Sequence, residues 1–217
     1  MKSESLFPEN KGGNLLSDIS NYYSEKLNQH GSSPLGVDWN GLESQELRFQ
    51  QLVKVISETE DYFSINDLGC GYGALFNYLS ETYNSFNYQG IDISSKMVEA
   101  AIKRVPVSND VRFLNSCKPD RIADFSIASG IFNVKLSKSD KEWKYYLFNT
   151  LDTLNECSSL GFSFNCLTSY SDKEKMRNDL YYGDPCEFFD LCKRKYSKEV
   201  SLLHDYGLFE FTILVRK

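Results

Sequence analysis

Between Ile65 and Leu79 the chain reads INDLGCGYGALFNYL: an apolar run, a turn holding Gly69, Gly71 and Gly73, then a helical pattern. Glycine at that density serves a backbone that turns through positive φ or lets another group come close. A strand that ends in such a turn and opens a helix brings backbone N–H groups and the positive end of a helix toward a ligand. The junction points to a nucleotide-type pocket, with Asp67 two positions before the first glycine.

The sequence on either side has the rhythm such a junction needs. NLLSDISNYYSEKLNQHG reads as a helix stopped by Gly31, and SSPLGVDWN as a loop. The next helix is predicted after Asn40, with Glu43 closing a capping box and Phe49, Leu52, Val53 and Ile56 forming its apolar face. Strand YFSINDL then leads through the glycines into helix ALFNYLSETY. Strand YQGIDI leads to Ser94 or Ser95 as the cap of KMVEAAIKRV, which stops at Pro106. VRFLN and ADFSIAS follow as strands. A long helix opens with the capping box Ser139 to Glu142 and lines up Trp143, Leu147, Leu151 and Leu154. GFSFNCLTS is a fifth strand, and DPCEFFDLCKRK a helix with Asp184 as cap, Pro185 at its first position and Glu187 completing the box. The closing EVSLLHDYGLFEFTILVRK holds two strand-like runs joined so briefly that they must be antiparallel. Alternation of this kind gives a mostly parallel sheet with helices on both faces.

At 217 residues and 41% apolar content, the chain suits one globular domain. Its net charge of −6, with both signs mixed along the length, argues against long nucleic acid as a partner. The N-terminal MKSESLFPENKGG lacks the apolar core of a signal peptide and no run is long enough for a bilayer, so a cytoplasmic protein with no membrane contact is expected. Six cysteines without a C-x-x-C pair and only two histidines predict reduced thiols and no metal site. A monomer or homodimer is expected.

Gly69, Gly71 and Ala74 satisfy the dinucleotide pattern G-x-G-x-x-G/A, and Asp92 lies about 20 residues on, where a ribose acceptor belongs. Taken alone, this fits NAD and adenosyl cofactors nearly equally. Asp67 tips the balance, because a carboxylate beside the turn disfavours a pyrophosphate and suits an ammonium or sulfonium. The helical preface and the terminal hairpin also depart from the usual dinucleotide fold.

DLGCGYG, GIDISSKMVEAA, ADFSIASGIF and HDYGLFEFTILVRK, in that order, resemble the successive motifs of class I S-adenosylmethionine-dependent methyltransferases, from about Asp61 to the C-terminus. The preface with HGSSPLGVDWN is similar to that of stand-alone bacterial methyltransferases acting on small molecules. The resemblance implies a Rossmann-like, doubly wound α/β sheet of seven strands in the order 3-2-1-4-5-7-6, strand 7 antiparallel. It also implies an N-terminal helical cap (1–60) and an S-adenosylmethionine-binding domain (61–217) in one compact unit. By the same resemblance Gly69, Cys70 and Gly71 line the methionine part of the cofactor and Asp67 orients it. Asp92 accepts the ribose hydroxyls, and Ile93 and Met97 pack on adenine. The acidic residue often found after the third strand is replaced by LNSCKPD, leaving Ser116 or Cys117 for the adenine edge. Ala128, Ser129 and Gly130 sit under the sulfonium and methyl.

Methyl transfer from a sulfonium depends mostly on positioning, and needs a base only where the acceptor must lose a proton. His204, at the end of the sixth strand, and His30, in the N-terminal loop, are the expected bases. Arg48 is expected on the cofactor carboxylate. Tyr22, Tyr23, Asp38, Trp39, Tyr181 and Tyr182 are expected walls for the acceptor, with Gln45 beside them. The NPPY tetrapeptide of enzymes methylating amide or base nitrogens is absent, with SGIF in its place. The expected activity is methyl transfer to a small polar metabolite, on oxygen or nitrogen. The alternatives are an NAD-linked oxidoreductase and a catalytically silent cofactor-binding module serving a partner protein.

Overall fold

In the computed structural model, which describes residues 12–56, 62–106 and 108–217, helices lead and strands follow. α1 (Gly12–His30) stops where Gly31, at φ +66, returns its N–H to the carbonyl of Leu27 at 2.8 Å. α2 (Leu42–Leu52) begins one residue later than the sequence predicts, after an extended Gly41, and no side chain caps it. The box between Asn40 and Glu43 does not form. The Ser44 hydroxyl folds back onto the Gly41 carbonyl, and Glu43 lies in the first turn, where its charge favours the helix dipole. Phe49, Leu52, Val53 and Ile56 are all buried, the last two beyond the helix in a single 3₁₀ turn and its cap. The boundary expected at 60/61 lies outside the described residues.

The sheet comprises β1 (Phe63–Leu68), β2 (Phe86–Asp92), β3 (Val111–Asn115), β4 (Ala123–Ala128), β5 (Ser158–Leu167), β6 (Glu199–Leu203) and β7 (Glu210–Arg216). Their order is β3-β2-β1-β4-β5-β7-β6, with β7 antiparallel to both neighbours and all other pairs parallel. α3 (Ala74–Thr82), α4 (Ser95–Arg104), α5 (Asp140–Glu156) and α6 (Pro185–Lys195) fill the crossovers. Ser94 caps α4 by accepting from the Met97 N–H. Ser139 and Glu142 form the full capping box on α5. Asp184 caps α6, but the Glu187 carboxylate meets Lys144 across the helices instead of turning back on the cap.

Strand alternation sends side chains to two cores. On one face Phe162, Phe164, Phe211 and Ile213 meet Trp143, Leu147 and Leu151 of α5 and Phe188 of α6, with Leu15 and Ile19 of α1 closing the edge. On the other, Phe63, Ile65, Tyr88 and Phe125 meet Leu75 and Leu79 of α3 and Phe49, Leu52 and Val55 of the N-terminal segment. Residues 12–56 therefore supply apolar surface to both faces. Between β3 and β4 there is no helix, and residues 116–122 run as a strap. Arg121 in that strap donates to Asn66 Oδ1 at 3.1 Å and to the Ile65 carbonyl at 2.8 Å, satisfying polar groups that a crossover helix would otherwise cover.

Candidate cofactor and acceptor site

The parallel register brings the ends of β1, β2 and β4 to one edge of the sheet: Asp67 lies opposite Gly90 and Ile127, and the glycine turn follows one residue later. Gly69, Gly71 and Gly73 have φ of +79, +54 and +82, in the region that favours glycine. The N–H groups of Gly69 and Cys70 both donate to the Ile91 carbonyl, at 2.7 and 3.0 Å, and that of Gly73 to Cys70. These bonds tie the turn to β2, so its contribution to a ligand is close approach along a backbone free of side chains.

Asp92 holds the other side. Its Oδ2 accepts from the Gly71 N–H at 3.0 Å and its Oδ1 from the Ser94 N–H at 2.8 Å. Burial outweighs those bonds and raises its pKa from 3.8 to about 6. Asp67, at the floor, accepts from the Tyr88 hydroxyl at 2.6 Å, and burial raises it to about 7 despite that bond, with the charge of Asp92 adding to the rise. Among the described residues neither carboxylate has an ion-pair partner. Two desolvated acids facing one cavity fit a ligand that carries its own positive charge.

That cavity, of about 1230 Å³, runs from the glycine turn to a chamber between α1 and α5. Of the residues the sequence singles out for the cofactor, it is bordered by Asp67, Gly69, Cys70, Gly71 and Asp92, then by Ile93, Met97, Ser116 and Cys117, and at the β4 end by Ser129 and Gly130. Ala128 stays behind in the core, fully buried. Tyr23 and Trp39 border the cavity as well, as does Gln45, whose side chain accepts from the Tyr72 hydroxyl at 2.9 Å.

Arg48 does not border it. Its Nε and NH2 donate to the buried carboxylate of Glu210 at 2.7 to 2.9 Å, and NH1 donates to the Ser44 carbonyl. The guanidinium lies over the Trp39 ring, 3.9 Å from its centroid. Glu210 in turn accepts from Asn165 Nδ2, and Asn165 Oδ1 accepts from the Gly130 N–H at 2.7 Å. The indole of Trp39 covers Gly130 so closely that a Cβ there would overlap it. A closed ring thus joins the N-terminal segment, β7, β5 and the β4 turn. Arg48 is held from the cavity because Glu210, with a side chain 1% exposed, needs a cation.

The remaining predicted residues serve the frame. Tyr22 donates to Asp38 Oδ2 at 2.8 Å and Lys26 reaches Oδ1 at 2.7 Å, so Asp38 pins the Pro34–Val37 turn to α1. Tyr181 is buried in the core and the Tyr182 hydroxyl accepts from the Arg177 N–H. His30 is exposed at the end of α1. His204 is exposed against Tyr170, with ring centroids 5.8 Å apart. It follows β6, four strands from β1, a separation of about 19 Å at the usual strand spacing. Neither histidine borders the cavity.

The wall that sequence reading passed over is the cavity side of α5, with Lys138, Lys141, Tyr145, Tyr146 and Asn149 facing Leu15, Leu16 and Ile19. Ser129 Oγ and Asn149 Nδ2 are buried there without a hydrogen-bond partner. Tyr146 is pushed up to about 12 by burial, so its phenol stays protonated.

Residues 65–142 match the family model described as "Methyltransferase domain". Over 162 residues, 75% of this chain and 98% of the relative, the sequence is 60% identical to a protein of Mycobacterium tuberculosis that carries the name "Putative methyltransferase Rv1506c". The chain belongs to the class I S-adenosylmethionine-dependent methyltransferases. Its fold is similar to that of human N-acetylserotonin methyltransferase, solved with S-adenosylmethionine (TM-score 0.64, 14% identity), over 97% of this chain and 60% of that one. It is also similar to magnesium protoporphyrin IX methyltransferase of Synechocystis PCC 6803, solved with S-adenosylhomocysteine (TM-score 0.65, 11% identity, 93% and 98% coverage). NodS, an N-methyltransferase of Bradyrhizobium japonicum WM9, shares it too (TM-score 0.63, 12% identity, 91% and 97% coverage). Membership makes S-adenosylmethionine the cofactor of this methyltransferase and removes the oxidoreductase alternative. No helix among its described residues is long and apolar enough to cross a membrane.

Proposed function

We propose that the methyltransferase acts on a small molecule seated in the chamber between α1 and α5, beside the cofactor. The observation that carries this reading is the continuity of one cavity from the glycine turn, past Ser129 and Gly130, to the facing walls of the two helices. Its volume of about 1230 Å³ exceeds the few hundred to about 1,000 Å³ of a typical single-ligand pocket, consistent with room for two partners.

S-adenosylmethionine supplies a methyl group on an already activated sulfur leaving group. Asp92, fixed by two backbone N–H bonds, holds the ribose, and Asp67 offers its carboxylate to the cofactor's positive end. Gly69 to Gly71 give the methionine part a surface without side chains, while Ile93 and Met97 flank the adenine. Ser129 Oγ, which lacks a partner, takes a hydrogen bond from the bound molecules. The residues of this site orient and exclude water, since neither histidine borders the cavity and the Tyr146 phenol holds its proton.

The test is transfer of labelled methyl from S-adenosylmethionine into a cell extract divided into small-molecule and macromolecular fractions. Label in the small-molecule fraction, abolished by S-adenosylhomocysteine, is the expected result. Label confined to protein or nucleic acid would refute the reading.

A further inference from the structure

We propose that the acceptor chamber carries an anion subsite, formed by the ammonium groups of Lys138 and Lys141, for the carboxylate, phosphate or sulfate of an acceptor with an aromatic or apolar body. The inference rests on the chamber being the acceptor's place.

Cations around this part of the molecule are otherwise matched. Lys26 pairs with Asp38, Lys135 with Asp140, Lys144 with Glu187 and Arg177 with Asp179. Lys138 and Lys141 border the cavity and, among the described residues, meet no acid. The acid beside them, Glu142, is engaged at the α5 cap, where its Oε2 accepts from the Ser139 N–H and hydroxyl. Glu142 borders the cavity too, as do Asp67 and Asp92 at the cofactor end, yet in a chain of net charge −6 these two cavity lysines form no ion pair among the described residues.

The helix repeat sets the geometry. Lys141, Tyr145 and Asn149 are four residues apart and share one stripe of α5, turned from the core face of Trp143, Leu147 and Leu151. Asn149 Nδ2, buried and unpartnered, adds a neutral donor two turns below the ammoniums. Opposite stand Leu15 and Ile19, with Tyr23 beyond them. One wall thus offers donors and cations, with the Glu142 carboxylate turned to the Ser139 cap, and the other apolar and aromatic surface. An apolar neutral acceptor would leave Asn149 unsatisfied, and a cation would be repelled by the lysines. An anion on an apolar body answers both.

The probes are 8-anilinonaphthalene-1-sulfonate and its uncharged parent N-phenyl-1-naphthylamine, titrated by fluorescence into the full chain saturated with S-adenosylhomocysteine. The expected result is that Lys138→Gln with Lys141→Gln weakens the sulfonate roughly three- to tenfold, the range for two partly exposed ion pairs. The neutral probe and S-adenosylhomocysteine should bind as before, and the Lys138→Arg, Lys141→Arg pair should restore the sulfonate. No sulfonate binding to the loaded wild type, an unchanged affinity in the double Gln variant, or an equal loss for both probes would overturn the subsite. Failure of S-adenosylhomocysteine to bind the wild type would show before any probe is added, and would strike the cofactor site instead.

Discussion

Asp67 and Asp92 show how a single side chain can be costly to the fold and useful to the site. Each is a carboxylate held from water, and each has a raised pKa because burial penalises its charge more than the surrounding donors favour it. A cationic ligand must find them ionised, so the affinity of the free protein for S-adenosylmethionine should rise as pH climbs through about 6 and about 7. Binding should then release protons near pH 6, visible as calorimetric heats that change with the ionisation enthalpy of the buffer. Asp67→Asn keeps an oxygen for the Tyr88 hydroxyl and should flatten the upper part of that profile. Asp92→Asn is harsher. Both of its oxygens accept from backbone N–H groups, and an amide nitrogen would oppose one of those donors. Affinity for S-adenosylhomocysteine should fall about tenfold or more, the scale of losing a charge-assisted bond. An unchanged affinity would remove Asp92 from the ribose.

Between elements, the ring through Arg48, Glu210, Asn165, Gly130 and Trp39 makes two predictions. Arg48→Met leaves Glu210 buried without a cation and should cost about 3–5 kcal/mol in urea unfolding, the usual penalty for stranding one partner of a buried pair. Adding Glu210→Gln removes the stranded charge while keeping an acceptor for Asn165, and should recover more than half of the loss. Gly130→Ala places a methyl where the Trp39 indole lies, at a residue with φ +75. It should displace the indole, shift Trp39 fluorescence and weaken S-adenosylhomocysteine binding, while Trp39→Ala in the same chain relieves the clash. The ring also marks what the sequence could not convey. The glycine turn, the Ser139 box and the Trp143 stripe were legible because their causes are local: φ, capping and a 3.6-residue repeat. Arg48 and Glu210 meet across 162 positions, and nothing near either one names the other. The cavity face of α5 was hidden for a related reason, since lysines and tyrosines off a strong apolar stripe read as a solvated surface. His204 lies just past a strand end, as the sequence predicts, and its remoteness from the cofactor turn is already contained in the sheet order that the resemblance implies, in which β6 is the far edge.

For the whole molecule, the same two acids tie folding to ligand binding. Their folded pKa values of about 7 and about 6 stand above the 3.8 of an unburied aspartate, so the folded state binds more protons than the unfolded one between about pH 4 and 7. Their contribution to stability is fully present below the unfolded value and is lost as pH rises through about 6 and then about 7. Asp120, Asp124 and Asp179 act in the opposite sense, being held below the usual range, chiefly by Gln89, Ser64 and Arg177 respectively. They are the more exposed groups, and their effect fades only as pH falls toward the ordinary carboxylate range. Above pH 5 the buried pair should dominate. The urea midpoint of the free protein should therefore decline from pH 5 to pH 8, and Asp67→Asn should reduce that decline. Saturating S-adenosylmethionine should reduce it too, because a bound cation favours the ionised carboxylates that the empty fold penalises. A midpoint that rises over this range in the free protein, or a decline of equal size with and without the cofactor, would show that Asp67 and Asp92 do not couple the fold to its ligand.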